Sequence, residues 1–201
     1  MKLYYTPGAC SLSPHIVLCE LGLAHDLETV DLATHLTAGG VDFATINPKG
    51  YVPALQLDDG QLITEGPAIV QYLADQKPEA GLLPPAGSLA RTRVQEWLTF
   101  IGTELHKSFS PLFNPAASAD WKAAGRANIE RRFSLLEKTL TGQDYLTGAN
   151  FCVADAYLFT VVNWTFFQKI DLAPWPALAA YHQRVKSRPA VQEALRSEGL
   201  I

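Results

Sequence analysis

The stretch PKGYVPAL at residues 48–55, followed by TEGPAI at residues 64–69, decides how the first part of this chain folds. The X-Pro bond of Val52-Pro53 stands before a short apolar run, where a cis proline can turn the backbone of Val52 outward as an extended edge. Pro67 suits a first helical turn because its φ is fixed and it has no N–H, so the N–H groups before it stay available to an anion. Together the two stretches can hold a peptide backbone and a carboxylate.

Apolar periodicity on both sides of these stretches predicts an α/β first domain. The sequence DDG at residues 58–60 is a hairpin signal between two short strands. The predicted order is βαβαββα, with strands at residues 2–5, 27–30, 54–57 and 61–63 and helices at 11–21, 41–46 and 66–75. This order suits a thioredoxin-like layer of sheet and helices, although other α/β arrangements stay open on composition alone.

Strand signals stop at a Pro/Gly-rich stretch over residues 81–87. We therefore predict a first domain over residues 1–80 and an all-α helical bundle over residues 87–201. Ser88 and Ser118 are predicted helix caps in the bundle, since a serine oxygen can accept from the first helical N–H groups. The helix predicted over 153–167 is apolar on nearly all sides, which is typical of the buried centre of a bundle.

Composition narrows the class of protein and the compartment. The chain has 201 residues, 48% hydrophobic, with a net charge of −4 and interspersed signs, which disfavours nucleic acid and anionic membrane surfaces as partners. No secretory signal and no apolar run of roughly 20 residues is present, so a cytoplasmic location is expected. Cys10, Cys19 and Cys152 are odd in number and match no metal-ligand spacing, so neither a disulfide framework nor a metal is expected.

Cys10 is the candidate reactive residue. It lies after the first predicted strand and just before the first predicted helix, where N–H groups and the helix dipole stabilise a thiolate. Ser13 stands where a Cys-x-x-Cys motif has its second sulfur, so a dithiol cycle cannot run here. The alternative interpretation is that Cys10 is a small buried hydrophobe, as free cysteines commonly are.

With the opening YYTPGACSLSPH at residues 4–15, these motifs resemble the glutathione transferases, and among them the bacterial beta class, which carries a cysteine at this position. The resemblance covers residues 1–201. It implies a thioredoxin-like domain that binds glutathione and an α-helical domain that completes the site. It also implies a cytoplasmic homodimer that acts in detoxification by conjugating glutathione, its co-substrate, to small hydrophobic electrophiles.

The resemblance further implies which residues do the chemistry. Cys10 would lie beside the glutathione sulfur, and His106 would point across the cleft toward the thiol, where it can donate a hydrogen bond to the thiolate or accept its proton. Glu65 would pair with the γ-glutamyl ammonium. The full set implied to bind glutathione is Cys10, Ser11, His35, Tyr51, Val52, Pro53, Glu65, Gly66, Thr99, Thr103 and His106.

Three positions depart from the family pattern. His35 replaces a lysine that pairs with the glycyl carboxylate, Gly66 replaces a serine whose hydroxyl binds the γ-glutamyl carboxylate, and Thr99 replaces an asparagine that reaches this end from a partner subunit. Each change is expected to affect affinity more than the site itself. The electrophile would meet an apolar wall formed by Phe109, Phe113 and Trp164, although aromatics at helical spacing can equally be core residues.

Two other functions stay open. The first is glutathione-dependent thiol-disulfide exchange or reductive dehalogenation through a mixed disulfide at Cys10. Activity on a disulfide or a chlorinated aromatic above that of conjugation distinguishes it. The second is a ligand-binding or interaction module without catalysis. The joint presence of Cys10, Val52-Pro53, Glu65 and His106 argues against it, and failure to bind immobilised glutathione would favour it.

Overall fold

The computed structural model describes residues 1–201 and divides into two compact units. The first unit comprises Met1–Leu83 together with Ser187–Ile201, and the second comprises Pro84–Lys186. The predicted division differs at the end of the chain, because it places residues 87–201 in the helical bundle. The division near residue 83 lies inside the predicted Pro/Gly-rich stretch.

The first unit is a four-stranded sheet with helices packed on it, which confirms the predicted thioredoxin-like fold. Its strand order is β2-β1-β3-β4, with β1 and β2 parallel and the other pairs antiparallel. In chain order its elements are β1 (Lys2–Tyr5), α1 (Leu12–Leu21), β2 (Asp26–Thr29), α2 (Phe43–Ile46), β3 (Ala54–Gln56), β4 (Leu62–Thr64) and α3 (Gly66–Gln76). A single 3₁₀ turn follows at Pro78–Ala80.

Helix α1 is the buried centre of the first unit. Every residue from Leu12 to Leu18 is buried, because the helix packs between α3 and the last helix of the chain. It ends at Gly22, whose φ of 57° is the left-handed conformation that glycine adopts without steric cost at a helix end. Full burial explains why a short apolar segment forms a stable helix here.

The second unit is all α-helical, as predicted. Its elements are α4 (Leu89–Phe100), a π-helical stretch (Ile101–His106), α5 (Lys107–Phe113), α6 (Ala119–Leu140), α7 (Val153–Gln168) and α8 (Pro176–Lys186). Ser88 and Ser118 cap α4 and α6, since each hydroxyl oxygen accepts a backbone N–H at 3.2 Å. In α7 every residue from Val153 to Val162 is buried, so this helix is the bundle centre.

A buried carboxylate fixes the start of α7. Asp155 accepts from the N–H groups of Cys152 and Leu146, both at 2.9 Å, and from the hydroxyl of Tyr181 at 3.0 Å. The bond from Cys152 is the one that a capping-box carboxylate makes, and the other two tie the preceding loop and α8 to the same carboxylate. Burial nevertheless raises the pKa of Asp155. Asp155 is therefore a structural residue.

The last helix, α9 (Pro189–Ser197), belongs to the first unit and not to the bundle. Its apolar face carries Val191 and Leu195, both buried, and packs against α1. Arg188 adds a two-pronged ion pair to Glu20 at the end of α1, with N–O distances of 2.6 and 2.8 Å. Residues 187–201, which the sequence predicts to lie with the bundle, thus group with the first unit, where α9 packs on α1.

No helix in the structure combines the length and the apolar character needed to cross a bilayer.

Candidate functional site

The thiol of Cys10 lies in the loop between β1 and α1 and is partly exposed. Its Sγ donates to the carbonyl oxygen of Val52 at 3.3 Å, which joins the start of α1 to the loop before β3. The segment around Cys10 and the PKGYVPAL motif are therefore in direct contact. The side-chain hydroxyl of Ser11, by contrast, is fully buried, donating to the carbonyl of Thr6 at 3.2 Å and accepting from the N–H of Thr6 at 3.1 Å.

The loop before β3 presents an unused backbone donor. The Val52–Pro53 bond is cis, as the sequence analysis anticipated. The N–H of Val52 makes no hydrogen bond within the chain, while its carbonyl accepts from Cys10. An extended peptide can pair with such an edge because every peptide unit offers both a donor and an acceptor.

The start of α3 presents a second unused donor. The N–H of Gly66 has no acceptor within the chain, and Pro67 follows it with no N–H of its own. A Cβ placed on Gly66 would lie 3.8 Å from Cγ of Pro53, so the two motifs are also neighbours in space. A helix start with a free N–H favours an anion, a carboxylate included.

Glu65 holds an unusual backbone conformation at this point. Its φ is 70° although it is not a glycine, a conformation that costs on the order of 1–3 kcal/mol and persists where the surroundings impose it. Its Oε1 lies 2.8 Å from Nζ of Lys49 and accepts from the hydroxyl of Tyr51 at 3.0 Å. These hydrogen bonds to the carboxylate raise the pKa of both Lys49 and Tyr51. The residue with this unusual backbone conformation thus directly precedes Gly66, and its carboxylate is held by Lys49 and Tyr51.

The loop that leads to Cys10 is anchored by the end of the chain. The N–H of Gly8 donates to Oε2 of Glu198 at 2.8 Å, and Oε1 of the same carboxylate lies 2.8 Å from Nδ1 of His15. Both side chains of that hydrogen-bonded pair are buried. Burial and the charge of Glu198 raise the pKa of Tyr5, so its phenol stays protonated and acts as a packing group.

In the second unit, an imidazole and a phenol form a pair. Nδ1 of His106 lies 2.7 Å from the hydroxyl oxygen of Tyr157. The ring of Trp164 meets that of His106 edge to face, with centroids 4.7 Å apart. Phe109 and Phe113 each lie 5.5 Å from Trp164, so the three predicted aromatic residues form one cluster with His106.

His106 ends the π-helical stretch Ile101–His106, a rare backbone form that is frequent at functional sites. Gly102 in that stretch makes room for the phenol, since a Cβ there would lie 3.6 Å from the hydroxyl oxygen of Tyr157. The sequence contains no periodicity signal for this π-helical turn.

Comparisons with known proteins show which family the chain belongs to. Residues 8–76 match the glutathione S-transferase N-terminal domain, and residues 100–189 match the C-terminal domain of the same proteins. Glutathione S-transferase GstA of Escherichia coli O157:H7 is 48% identical over 100% of both chains. The chain belongs to the glutathione S-transferase family.

Two solved structures refine the placement within the glutathione S-transferases. A sphingomonad glutathione S-transferase complexed with glutathione is 49% identical, with a TM-score of 0.96 and 100% of both chains covered. The bacterial beta-class glutathione S-transferase of Sphingomonas chungbukensis is 47% identical, with a TM-score of 0.97 and 100% of both chains covered. The resemblance to the beta class is confirmed.

In this glutathione S-transferase the predicted glutathione-binding residues of the first unit divide into two groups. Most of them lie in or next to the segments that the Cys10–Val52 hydrogen bond joins: Cys10, Tyr51, Val52, Pro53, Glu65 and Gly66. His35 is exposed in the loop before α2, with a φ of 59°, and its carbonyl accepts from the N–H of Phe43 at 2.9 Å. The hydroxyl of Ser11 already donates to and accepts from Thr6 inside the unit, and the binding of glutathione by Ser11 stays a prediction.

The predicted residues of the second unit also differ from one another. Thr99 and Thr103 are exposed, and each hydroxyl donates to the carbonyl four residues earlier in the helix at 2.9 Å, so these side chains have acceptor capacity left. Phe109 is fully buried and Trp164 nearly so, whereas Phe113 is 47% exposed. Of the three predicted wall residues, Phe113 has exposed ring surface that a ligand can contact, whereas Phe109 packs beside it as a core residue.

Sequence reasoning overlooked three residues of this glutathione S-transferase that hold predicted site residues in place. Lys49 pairs with Glu65, Tyr157 with His106, and Glu198 with the Gly8 loop. Lys49 lies inside the PKGYVPAL motif and could have been found there. Tyr157 and Glu198 are far along the chain from their partners and leave no local signal.

Proposed function

We propose that this protein is a glutathione transferase that ionises the glutathione thiol and directs it onto hydrophobic electrophiles. The observation that carries the proposal is the contact between Cys10 and Val52. The N–H groups of Val52 and Gly66 and the Glu65 carboxylate supply the donors and the charge that a γ-glutamyl peptide needs. Membership in the glutathione S-transferase family supports the same chemistry.

Each part of the tripeptide has a complementary group. The N–H of Val52 suits the carbonyl of the cysteinyl residue, and the N–H of Gly66 at the start of α3 suits the γ-glutamyl carboxylate. Glu65 suits the γ-glutamyl ammonium, a charge-assisted bond worth roughly 1.5–3 kcal/mol. In this proposal Lys49 and Tyr51 orient the Glu65 carboxylate before glutathione arrives. The thioredoxin-like unit contributes this glutathione site, and the helical domain contributes the electrophile site.

We propose Cys10 and His106 as the catalytic residues. A fall of two units in the glutathione thiol pKa, from about 8.5, amounts to roughly 2.7 kcal/mol and makes most of the bound thiol reactive at neutral pH. Cys10 lies beside the sulfur of glutathione, and His106, oriented by Tyr157, donates to the thiolate. The thiolate then forms a carbon–sulfur bond and halide leaves with the bonding pair, or the sulfur adds to an activated alkene. Phe113 and Trp164 border the electrophile.

The experiment measures glutathione binding and conjugation on one preparation. Isothermal titration with glutathione is expected to show one site per chain, and chlorodinitrobenzene with glutathione is expected to give the dinitrophenyl thioether. Removing the thiol from the ligand, by using ophthalmic acid, is expected to preserve binding and abolish the product. A protein that binds neither compound would contradict the proposed function.

Thiol–disulfide exchange through Cys10 is the second candidate, because this thiol is partly exposed at a helix start while those of the other two cysteines are not suited to attack. Burial raises the pKa of Cys19 to about 12 and raises that of Cys152 further. An exchange cycle therefore runs through Cys10 and a second glutathione. Reduction of hydroxyethyl disulfide, assayed beside conjugation, separates the two activities.

The biological setting follows the family. We place the protein in the cytoplasm as a homodimer active in detoxification. Light scattering on the eluting protein tests the dimer, since two chains have twice the mass of the 22.0 kDa protomer. A mass of one protomer at micromolar concentration would contradict it.

A further inference from the structure

Three side chains with metal-ligating atoms, two from α1 and one from the connection that follows it, lie close together. His15 and Cys19 are four residues apart and so lie on one face of the helix. His25 comes from the connection between α1 and β2. The nitrogen and sulfur atoms that the three residues offer all lie within 4.8 Å of one another. His15 is buried, whereas Cys19 and His25 are partly exposed.

The hydrogen bonds of the two imidazoles determine which nitrogen holds the proton. Nδ1 of His25 lies 2.7 Å from the carbonyl oxygen of Leu23, and a carbonyl can only accept, so Nδ1 carries the proton. Nδ1 of His15 lies 2.8 Å from the Glu198 carboxylate and is protonated for the same reason. A ring that carries its single proton on Nδ1 has a free lone pair on Nε2.

This pattern is the outer shell that metal-bound histidines have in proteins. Such a histidine donates its second N–H to a carboxylate or a backbone carbonyl, which fixes the tautomer and the ring orientation. His15 has the carboxylate and His25 has the carbonyl. Packing alone explains the edge-on contact of the two rings, whose centroids are 5.6 Å apart, but it does not require both rings to have this tautomer.

We propose that His15, Cys19 and His25 form a binding site for a divalent transition metal of the zinc type. Two imidazoles and a thiolate are the ligands that zinc and cobalt prefer. Tetrahedral bonds of about 2.0–2.3 Å put ligand atoms about 3.5 Å apart, a separation that small side-chain rotations reach from atoms that lie within 4.8 Å of one another. Because Cys19 and His25 are partly exposed, water completes the fourth position.

A metal here connects to the loop of the glutathione site through one carboxylate. Glu198 accepts from His15 with Oε1 and from the N–H of Gly8, two residues before Cys10, with Oε2. The ion joins α1 to the connection that follows it. It also stabilises the contact of His15 with Glu198, near the end of the chain. Binding to the folded state alone raises the unfolding temperature.

The test is a titration of the untagged, reduced protein with Co²⁺ alone, followed by displacement with Zn²⁺. We expect one Co²⁺ per chain, a thiolate-to-cobalt charge-transfer band and tetrahedral d–d bands that Zn²⁺ removes. Cys19→Ser is expected to abolish the charge-transfer band, and His25→Ala to weaken Co²⁺ binding at least ten-fold. Cys10→Ala and His35→Gln are the matched controls and are expected to retain the band and the affinity.

Glu198→Gln tests the tautomer argument with an isosteric side chain. If the new amide oxygen accepts from Gly8, its NH₂ group faces His15, moves the ring proton to Nε2 and blocks that ligand. We expect about 10- to 100-fold weaker Co²⁺ binding, with the circular dichroism spectrum of the folded protein retained. A role confined to packing would leave Co²⁺ binding unchanged.

Three results would overturn the proposal: no Co²⁺ bound by the folded protein, a charge-transfer band that persists in Cys19→Ser, or a band lost in Cys10→Ala. Thermal unfolding gives a second readout. Zn²⁺ is expected to raise the unfolding temperature of the parent protein and not that of His25→Ala, and an equal rise in both would also contradict the site. None of these outcomes depends on glutathione chemistry.

Discussion

The hydroxyl of Tyr157 lies 2.7 Å from Nδ1 of His106, and the edge-on indole of Trp164 packs against the same imidazole. An imidazole held on two sides has few orientations left, so Nε2 points in one direction. Tyr157 is therefore a positioning residue for the proposed role of His106.

Replacing His106 is expected to affect turnover more than binding. In His106→Ala the proposed donor to the thiolate is lost, and kcat is expected to fall at least ten-fold while the Kd for glutathione changes less than three-fold. Tyr157→Phe keeps the imidazole but not its orientation, so a smaller fall in kcat and a shifted pH profile are expected. A change confined to KM in either variant would contradict the role of His106.

Replacing Glu65 is expected to do the opposite. Glu65→Ala removes the proposed partner of the γ-glutamyl ammonium, so the KM for glutathione is expected to rise about ten- to a hundred-fold with a small change in kcat. Glu79→Ala, at an exposed position of the same unit, is the control and should leave KM unchanged. An unaltered KM in Glu65→Ala would mean that the γ-glutamyl end binds elsewhere.

Adding a hydroxyl at Gly66 is expected to strengthen glutathione binding. A Cβ there lies at ordinary contact distance, 3.8 Å from Pro53, and Gly66 is not in a left-handed conformation, so Gly66→Ser fits the backbone. The new hydroxyl can bind the γ-glutamyl carboxylate, and a two- to ten-fold lower Kd is expected from a bond of about 0.5–1.5 kcal/mol. Gly66→Ala is the matched control, and equal affinity of the two variants would refute the contact.

Replacing Cys10 separates the two candidate activities. If its thiol positions glutathione, Cys10→Ala is expected to retain substantial conjugation, since His106 and the helix start still stabilise the bound thiolate. If it is the nucleophile of an exchange cycle, the same variant loses disulfide reduction altogether, because the thiols of Cys19 and Cys152 are not ionised near neutral pH. Should Cys10→Ala leave both rates unchanged, Cys10 is a packing residue.

Buried His182 in α8 is expected to make stability depend on pH. Burial and the nearby charge of Lys186 lower its pKa from 6.5 to about 4, and its ring stacks on Phe159 at a centroid distance of 4.9 Å. Between these two pKa values the unfolded chain binds the proton and the folded chain does not. Stability therefore falls as pH drops from about 6.5 toward 4, by about 2–3 kcal/mol for this group.

The variant His182→Phe removes that titration and a buried nitrogen, Nε2, that has no hydrogen-bond partner. Denaturant unfolding of both proteins at pH 7 and pH 4.5 gives the difference, and the variant is expected to lose less stability than the parent. The exposed His35→Gln is the control and should follow the parent. Equal losses in His182→Phe and the parent would show that other groups cause the pH dependence.

Much of the fold could be predicted because its signals are local. The DDG hairpin, the serine caps and the apolar spacing of α1 and α7 act over a few residues, and each element formed where the sequence indicated, with bounds shifted by a residue or two. The family motifs are local as well, so the neighbourhood of Cys10, Val52 and Glu65 was predictable. The π-helical stretch before His106 was not, because no spacing of residues specifies it.

The sequence by itself determined the two kinds of domain, the motifs around Cys10 and the family. Only the tertiary structure decided that Ser187–Ile201 packs with the first unit and that the Ser11 hydroxyl forms hydrogen bonds with Thr6. The same holds for the proximity of His15, Cys19 and His25. The bond from Gly8 to Glu198 spans 190 residues of chain. Contacts of that kind depend on which apolar faces remain to be buried once every helix has formed, and no local pattern contains that information.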